Sequence, residues 1–168
     1  PFYFYDQKVL QATLDAINSE VRKYEGYKVH YAVKACVDPD VLDIINTSGI
    51  GCDCVSGGEV ERCLMSGFAP SKIVFAGVGK ADWEINLALD ANIACFNVES
   101  VPELEVIDEL ARIKGKVANI ALRVNPNVDA HTHKYITTGL SENKFGISME
   151  MLDMVVDKAM SLKNVNLI

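Results

Sequence analysis

Three charged side chains interrupt apolar runs in this chain of 168 residues. Lys34 closes Val29-His30-Tyr31-Ala32-Val33-Lys34-Ala35, Asp53 lies within Gly51-Cys52-Asp53-Cys54-Val55, and Arg123 within Ala121-Leu122-Arg123-Val124. A charge inside a buried strand is costly unless it is paired or meets a ligand. A primary amine at the end of such a strand is placed for covalent work, namely a Schiff base with an aldehyde cofactor or a carbonyl substrate. Two plainer readings stand beside this one. Lys34 can be the point where a strand emerges into solvent, and Asp53 and Arg123 can form a structural ion-pair network with each other or with Lys34.

Other chemistry-bearing patterns carry less. Gly77-Val78-Gly79-Lys80 is no phosphate loop: the required earlier glycine is Val74, and Ala81 follows the lysine where Ser or Thr is needed. His131 and His133 are two apart with no acidic or Cys partner nearby, so no metal site is expected. Cys36, Cys52, Cys54, Cys63 and Cys95 are odd in number and form no CxxC pair, which reads as reduced core thiols of a cytoplasmic protein. Asn46-Thr47-Ser48 fits a glycosylation sequon by chance.

The elements that must position these groups alternate. Residues 8–24 put Val9, Leu10, Leu14, Ile17 and Val21 on one helical stripe. Strands are expected over 28–34, 51–55, 72–76, 93–97 and 118–124, with a sixth beginning at 165. Helices are expected between them, including 81–90 and 149–162. Asp38-Pro39 caps one helix with Pro at its first position. Ser56-x-x-Glu59 and Ser100-x-x-Glu103 have capping-box spacing. The strands read as continuous apolar runs, which suits a parallel sheet covered on both faces. The 22 residues 125–146 form a long polar stretch, suited to a covering loop.

Strand–helix alternation admits a (β/α)8 barrel or an open doubly wound sheet. No G-x-G-x-x-G follows the first strand, so the barrel is favoured. Catalytic groups then belong at the carboxyl ends of the strands: Lys34, Asp53, the Gly77–Lys80 turn, Asn97, Glu99 and Ser100, and Arg123. A complete barrel takes ~250 residues, so the chain reads as five full strands and the start of a sixth, stopping in mid-barrel. Its opening, Pro1-Phe2-Tyr3-Phe4, reads as the interior of a longer chain.

The composition is 49% apolar with a net charge of −7. The acidic balance offers nothing to nucleic acid or to an anionic membrane. No apolar run approaches the ~20 residues a membrane span needs.

In order along the chain, the blocks Tyr31-Ala-Val-Lys34-Ala, Gly51-Cys-Asp53-Cys-Val-Ser56-Gly-Gly-Glu59, Lys72-Ile-Val-Phe-Ala-Gly-Val-Gly-Lys80, Phe96-Asn-Val-Glu-Ser100, Leu122-Arg-Val-Asn-Pro126 and His131-Thr-His133 through Asn143-Lys-Phe-Gly146 resemble the fold-type III pyridoxal-phosphate decarboxylases. Within that group they are most similar to the diaminopimelate decarboxylases. The resemblance implies an alanine racemase-like barrel binding pyridoxal 5'-phosphate through a Schiff base to Lys34, with Asp53 and Arg123 at polar positions around the cofactor. It implies decarboxylation of meso-2,6-diaminopimelate to L-lysine in lysine biosynthesis, by a cytoplasmic homodimer. Sister decarboxylases acting on ornithine, arginine or carboxynorspermidine are the alternative, and a non-catalytic binding or regulatory relative is a second. The family's later segments, including its β-domain, have no counterpart here. Residues 1–168 are therefore expected to be the N-terminal portion of the cofactor-binding barrel, inactive by themselves.

Overall fold

A computed structural model describes residues 2–126 and 145–168. Six strands form one parallel sheet: β1 (His30–Ala32), β2 (Gly51–Cys54), β3 (Ile73–Phe75), β4 (Cys95–Val98), β5 (Ala118–Leu122) and β8 (Val165–Leu167). Their spatial order is their sequence order. Right-handed crossovers that always step the same way put every connecting helix on one face, whereas a doubly wound sheet must reverse direction. The sheet is thus a portion of a (β/α)8 barrel, and the choice left open by strand–helix alternation falls to the barrel. Five strands and a sixth beginning match the observed six.

The helices are α1 (Gln7–Val21), α2 (Pro39–Thr47), α3 (Gly57–Met65), α4 (Asp82–Ala91), α5 (Val101–Lys114) and α6 (Leu152–Ser161). Local signals start them: Asp6 accepts from Lys8 N and Val9 N at α1, and Asp38 accepts from Asp40 N before Pro39 begins α2. A two-residue pair, β6 (Val124–Asn125) with β7 (Ile147–Ser148), flanks the segment outside the described residues.

Alternation along each strand divides the side chains into two rows. The helix-facing row, including Cys52, Cys54, Ile73, Phe75, Phe96, Val98 and Ile120, is fully buried and forms the core with Val60, Cys63, Ile85, Leu104 and Ile107. The inner row, Asp53, Val74, Asn97, Asn119 and Ala121, is half-buried or exposed. The strands are therefore less uniformly apolar in role than continuous runs suggest, and their polar residues cluster on the inner face.

Several boundaries differ from expectation. The strand expected over 28–34 ends at Ala32, because residues Val33–Ala35 turn in a 3-10 helix. The helix expected over 149–162 opens with a 3-10 turn, Met149–Met151. The strand expected over 118–124 breaks at Arg123, after which Val124 pairs with Ile147 instead. All five cysteines are free, and four are buried. Contact with Cys63 and burial push the Cys52 and Cys54 thiols up, and burial pushes Cys95 to about 11. Asn46 of the chance sequon donates its amide to Ser66 O at 3.3 Å, a packing role. Among the described residues no helix is long and apolar enough to cross a membrane.

Candidate functional site

Parallel strands end together, so residues just past their carboxyl ends share one rim. Lys34 follows β1, Asp53 is the third residue of β2, Glu99 follows β4 and Arg123 follows β5. Ala32 pairs with Asp53, and Lys34 lies two residues past Ala32, in the turn just beyond the end of β1. Lys34 is not a buried strand residue, as the apolar run suggested. It is exposed, in the 3-10 turn, and makes no hydrogen bond or ion pair with the described residues. The reading that places Lys34 in a structural ion-pair network therefore loses its support.

Asp53 lies on the inner face with its Oδ1 buried and without a hydrogen-bond partner. A buried acceptor left unsatisfied costs about 1–3 kcal/mol, and more if charged. Burial raises the carboxyl above its usual range, and the positive charges of Lys34, His30 and Arg123 pull it back. Asp53 is thus an acceptor held ready beside a free amine.

Arg123 pairs with neither Asp53 nor Lys34. One guanidinium nitrogen, Nη1, donates to both carboxylate oxygens of Glu99 at 3.0 Å. Glu99 Oε1 also accepts from Gly77 N at 2.8 Å. The Arg123 backbone is fixed too: its N donates to Val98 O at 2.8 Å, and its O accepts from Ile147 N at 2.7 Å. Gly146 permits that second bond, since it has φ +84° and a Cβ there would stand 2.8 Å from Arg123 O. The Phe145 ring lies 5.3 Å from the guanidinium carbon.

Lys80 is the structural counterpart of these groups. Its ammonium donates to Gly77 O (2.8 Å), Asn97 O (3.0 Å) and Glu103 Oε1 (2.6 Å), which uses all three of its donors. The side chains of Lys80 and Glu103 are 1% and 9% exposed. Lys80 therefore braces the Gly77–Lys80 turn and has no donor left over.

The capping boxes take an altered form. Ser56 and Ser100 accept from the N–H groups of Glu59 and Glu103, as expected. The glutamates reach one residue further back than the cap, to Val55 N (2.7 Å) and Glu99 N (2.8 Å). In the helix between them, Glu84 accepts from Ala81 N and from Gly57 N at the start of α3. Successive strand–helix turns are thereby cross-linked through carboxylates. Glu99 was legible only as a charge just past an apolar run, and nothing in its spacing named Arg123 as its partner. His131 and His133 lie outside the described residues. Among the described residues no cluster of three or more His, Cys, Asp or Glu could hold a metal ion.

Comparison with known proteins identifies close relatives of this arrangement. The family model described as pyridoxal-dependent decarboxylase, pyridoxal binding domain, matches residues 10–168. The diaminopimelate decarboxylase of Bacteroides thetaiotaomicron is 64% identical over 168 residues, which is all of this chain and 44% of that protein. That of Haemophilus influenzae is 46% identical over 167 residues and matches over 40% of its length. The crystal structure of diaminopimelate decarboxylase from Helicobacter pylori complexed with L-lysine aligns with a TM-score of 0.92 at 39% identity, covering all of this chain and 42% of that one. The arginine decarboxylase of Paramecium bursaria Chlorella virus aligns at 0.76 with 21% identity, a likeness of fold alone. The chain spans less than half the length of these relatives.

Proposed function

The chain belongs to the pyridoxal-dependent decarboxylases, and from that premise we propose that the protein decarboxylates meso-2,6-diaminopimelate to L-lysine and carbon dioxide, using pyridoxal 5'-phosphate anchored covalently on Lys34. The observation that carries the reading is the placement, at adjacent strand ends, of an amine with no partner among the described residues and a carboxylate whose buried oxygen has no donor there. That pair suits an aldehyde cofactor with polar ring substituents: the amine meets the aldehyde, and Asp53 has acceptor capacity to spare. When bound, the cofactor supplies an electron sink for the carbanion left by loss of carbon dioxide.

The chain's own residues then have distinct tasks. Lys34 would hold the cofactor's aldehyde and would serve at the rim as a proton carrier. Asp53 would offer its free acceptor oxygen to a donor on the cofactor. Arg123 presents a positive edge whose direction Glu99 sets. The identity of the substrate is supported by the diaminopimelate decarboxylases at 64% and 46% identity. The relative at 21% identity named for arginine supports no competing substrate. The chain spans less than half the length of these relatives, and further walls of the site are expected from outside residues 1–168, including a second subunit of a homodimer.

The test is product analysis with the full-length protein supplied with pyridoxal phosphate and each candidate amino acid. Lysine from diaminopimelate is the expected result. Turnover of ornithine or arginine in preference would replace this substrate, and turnover unaffected by Lys34→Ala would remove the lysine from its role.

A further inference from the structure

At the opposite end of the strands from Lys34, a cavity of about 410 Å³ opens between the end of α1, residues 27–29 and the first residues of β1 and β2. Its volume is in the range of small-molecule sites. Val21, Val29 and Ile50 line it with apolar surface, and Lys28, His30 and Lys72 supply its charge. No Asp or Glu lines it, although acidic residues outnumber basic ones in the chain, 23 to 16. A cavity of one sign in an oppositely charged protein concentrates the matching ion.

The basic groups are placed by the fold. His30 pairs in register with Gly51. A Cβ at Gly51 would stand 2.6 Å from His30 Cδ2, 2.9 Å from Nε2 and 2.5 Å from Lys72 O, so the absence of a side chain there lets the imidazole lie against β2. His30 makes no hydrogen bond with the described residues, and neither does the Lys28 ammonium. Lys72 Nζ donates once, to Gly49 O at 3.0 Å, which leaves two donors. The charged groups that bear on His30 are Asp53 from β2 and Lys28 from its own segment. Burial pushes the imidazole down, Asp53 opposes this and Lys28 reinforces it.

We propose that this cavity binds a small organic anion, a carboxylate or a phosphate ester carrying an apolar body, through Lys28, His30 and Lys72. The apolar wall takes the body, and Lys28, His30 and Lys72 on the lining supply the opposite charge. Binding favours the imidazolium form of His30, so affinity rises as pH falls and bound anion raises the His30 titration midpoint. The site lies at the other end of the strands from the Lys34 rim, with Asp53 acting on both His30 and Lys34, and its ligand does not depend on the decarboxylase reading.

The test uses full-length protein loaded with its cofactor, so that the cofactor's own anion contacts are filled. Phenyl phosphate, benzoate and neutral benzyl alcohol are titrated by calorimetry at pH 6 and pH 8, with the His30 ring followed by NMR. At least one anion is expected to bind severalfold more tightly at pH 6, to shift His30, and to lose at least tenfold in affinity in Lys28→Gln/Lys72→Gln. Which anion binds distinguishes carboxylate from phosphate ester. Lys28→Gln removes an exposed charge and reports alone if Lys72→Gln disturbs the Gly49 turn. Binding of the alcohol as tightly as the anions, unchanged affinity in Lys28→Gln, an unmoved His30, or no binding by either anion each overturns the proposal.

Discussion

Arg123 and Glu99 are joined by two hydrogen bonds of 3.0 Å from a single guanidinium nitrogen, one side chain 40% exposed and the other 2%. The buried partner sets the direction of the exposed one. Glu99 is itself held by the Gly77 N–H, so the orientation of Arg123 at the rim is fixed from the neighbouring strand end.

Glu99→Gln keeps the shape but removes the charge. Because Arg123 is well exposed, the stability loss should be about 1–2 kcal/mol, below that of a fully buried pair. Cofactor affinity should fall by roughly tenfold as Arg123 loses its fixed direction, a change of about 1.4 kcal/mol. Chemical denaturation and spectrophotometric cofactor titration measure the two effects separately. Affinity equal to wild type would show that Arg123 needs no guide.

Asp53→Asn should act in opposite directions on stability and on binding. The Asp53 carboxyl is raised in the folded state. The folded state therefore holds its proton more tightly, and stability falls as pH rises from the ordinary carboxylate range through the raised folded value. Replacing the carboxylate with the amide removes this loss, so cofactor-free protein should gain up to about 1 kcal/mol at neutral pH after allowance for solvent screening. Cofactor-loaded protein should lose affinity. Melting curves of the two forms between pH 4 and 8 give the comparison.

Lys34→Ala should leave stability within about 0.5 kcal/mol, because the side chain is exposed and bonded to no described residue. It should abolish fixation of pyridoxal phosphate by borohydride, read by intact mass. A cofactor still fixed at another lysine in this variant would move the anchor elsewhere.

Lys80→Met should cost about 3–5 kcal/mol, because it strands Glu103 in a buried place and frees two backbone carbonyls. Pairing it with Glu103→Leu should recover part of that loss, since an apolar pair of similar volume leaves no buried charge. Denaturant midpoints of the two single variants and the double variant form the cycle.

Residues 1–168 expressed alone should show no decarboxylation in a carbon dioxide release assay. The β1 and β8 edges of the described sheet lack neighbours, and the inner row that carries Asp53 is half-buried or exposed. Measurable turnover would mean that these residues hold a working site unaided.

Much of the fold was legible because its causes are local. Apolar spacing in α1, the Asp38-Pro39 start of α2 and the Ser56 and Ser100 caps act within a turn or two, so the order and kind of elements follow from neighbours in the chain. The Lys34 strand was overextended because Val33 reads as strand by type, yet the backbone turns there to pass from β1 toward α2. The amine, the carboxylate and the guanidinium were all visible as charges in apolar runs.

The sequence by itself determined that parallel strands alternate with helices and that Lys34, Asp53 and Arg123 fall near the strand ends. Only the tertiary structure decided what each of them meets. Glu99 and Arg123 are 24 residues apart and touch because the β4–β5 register brings Val98 beside Leu122. Lys80 and Glu103 are 23 apart and are buried by the helices around them. Asp53 is left without a donor because burial and partnership belong to the surroundings that packing creates, and no residue type carries that information in its own position.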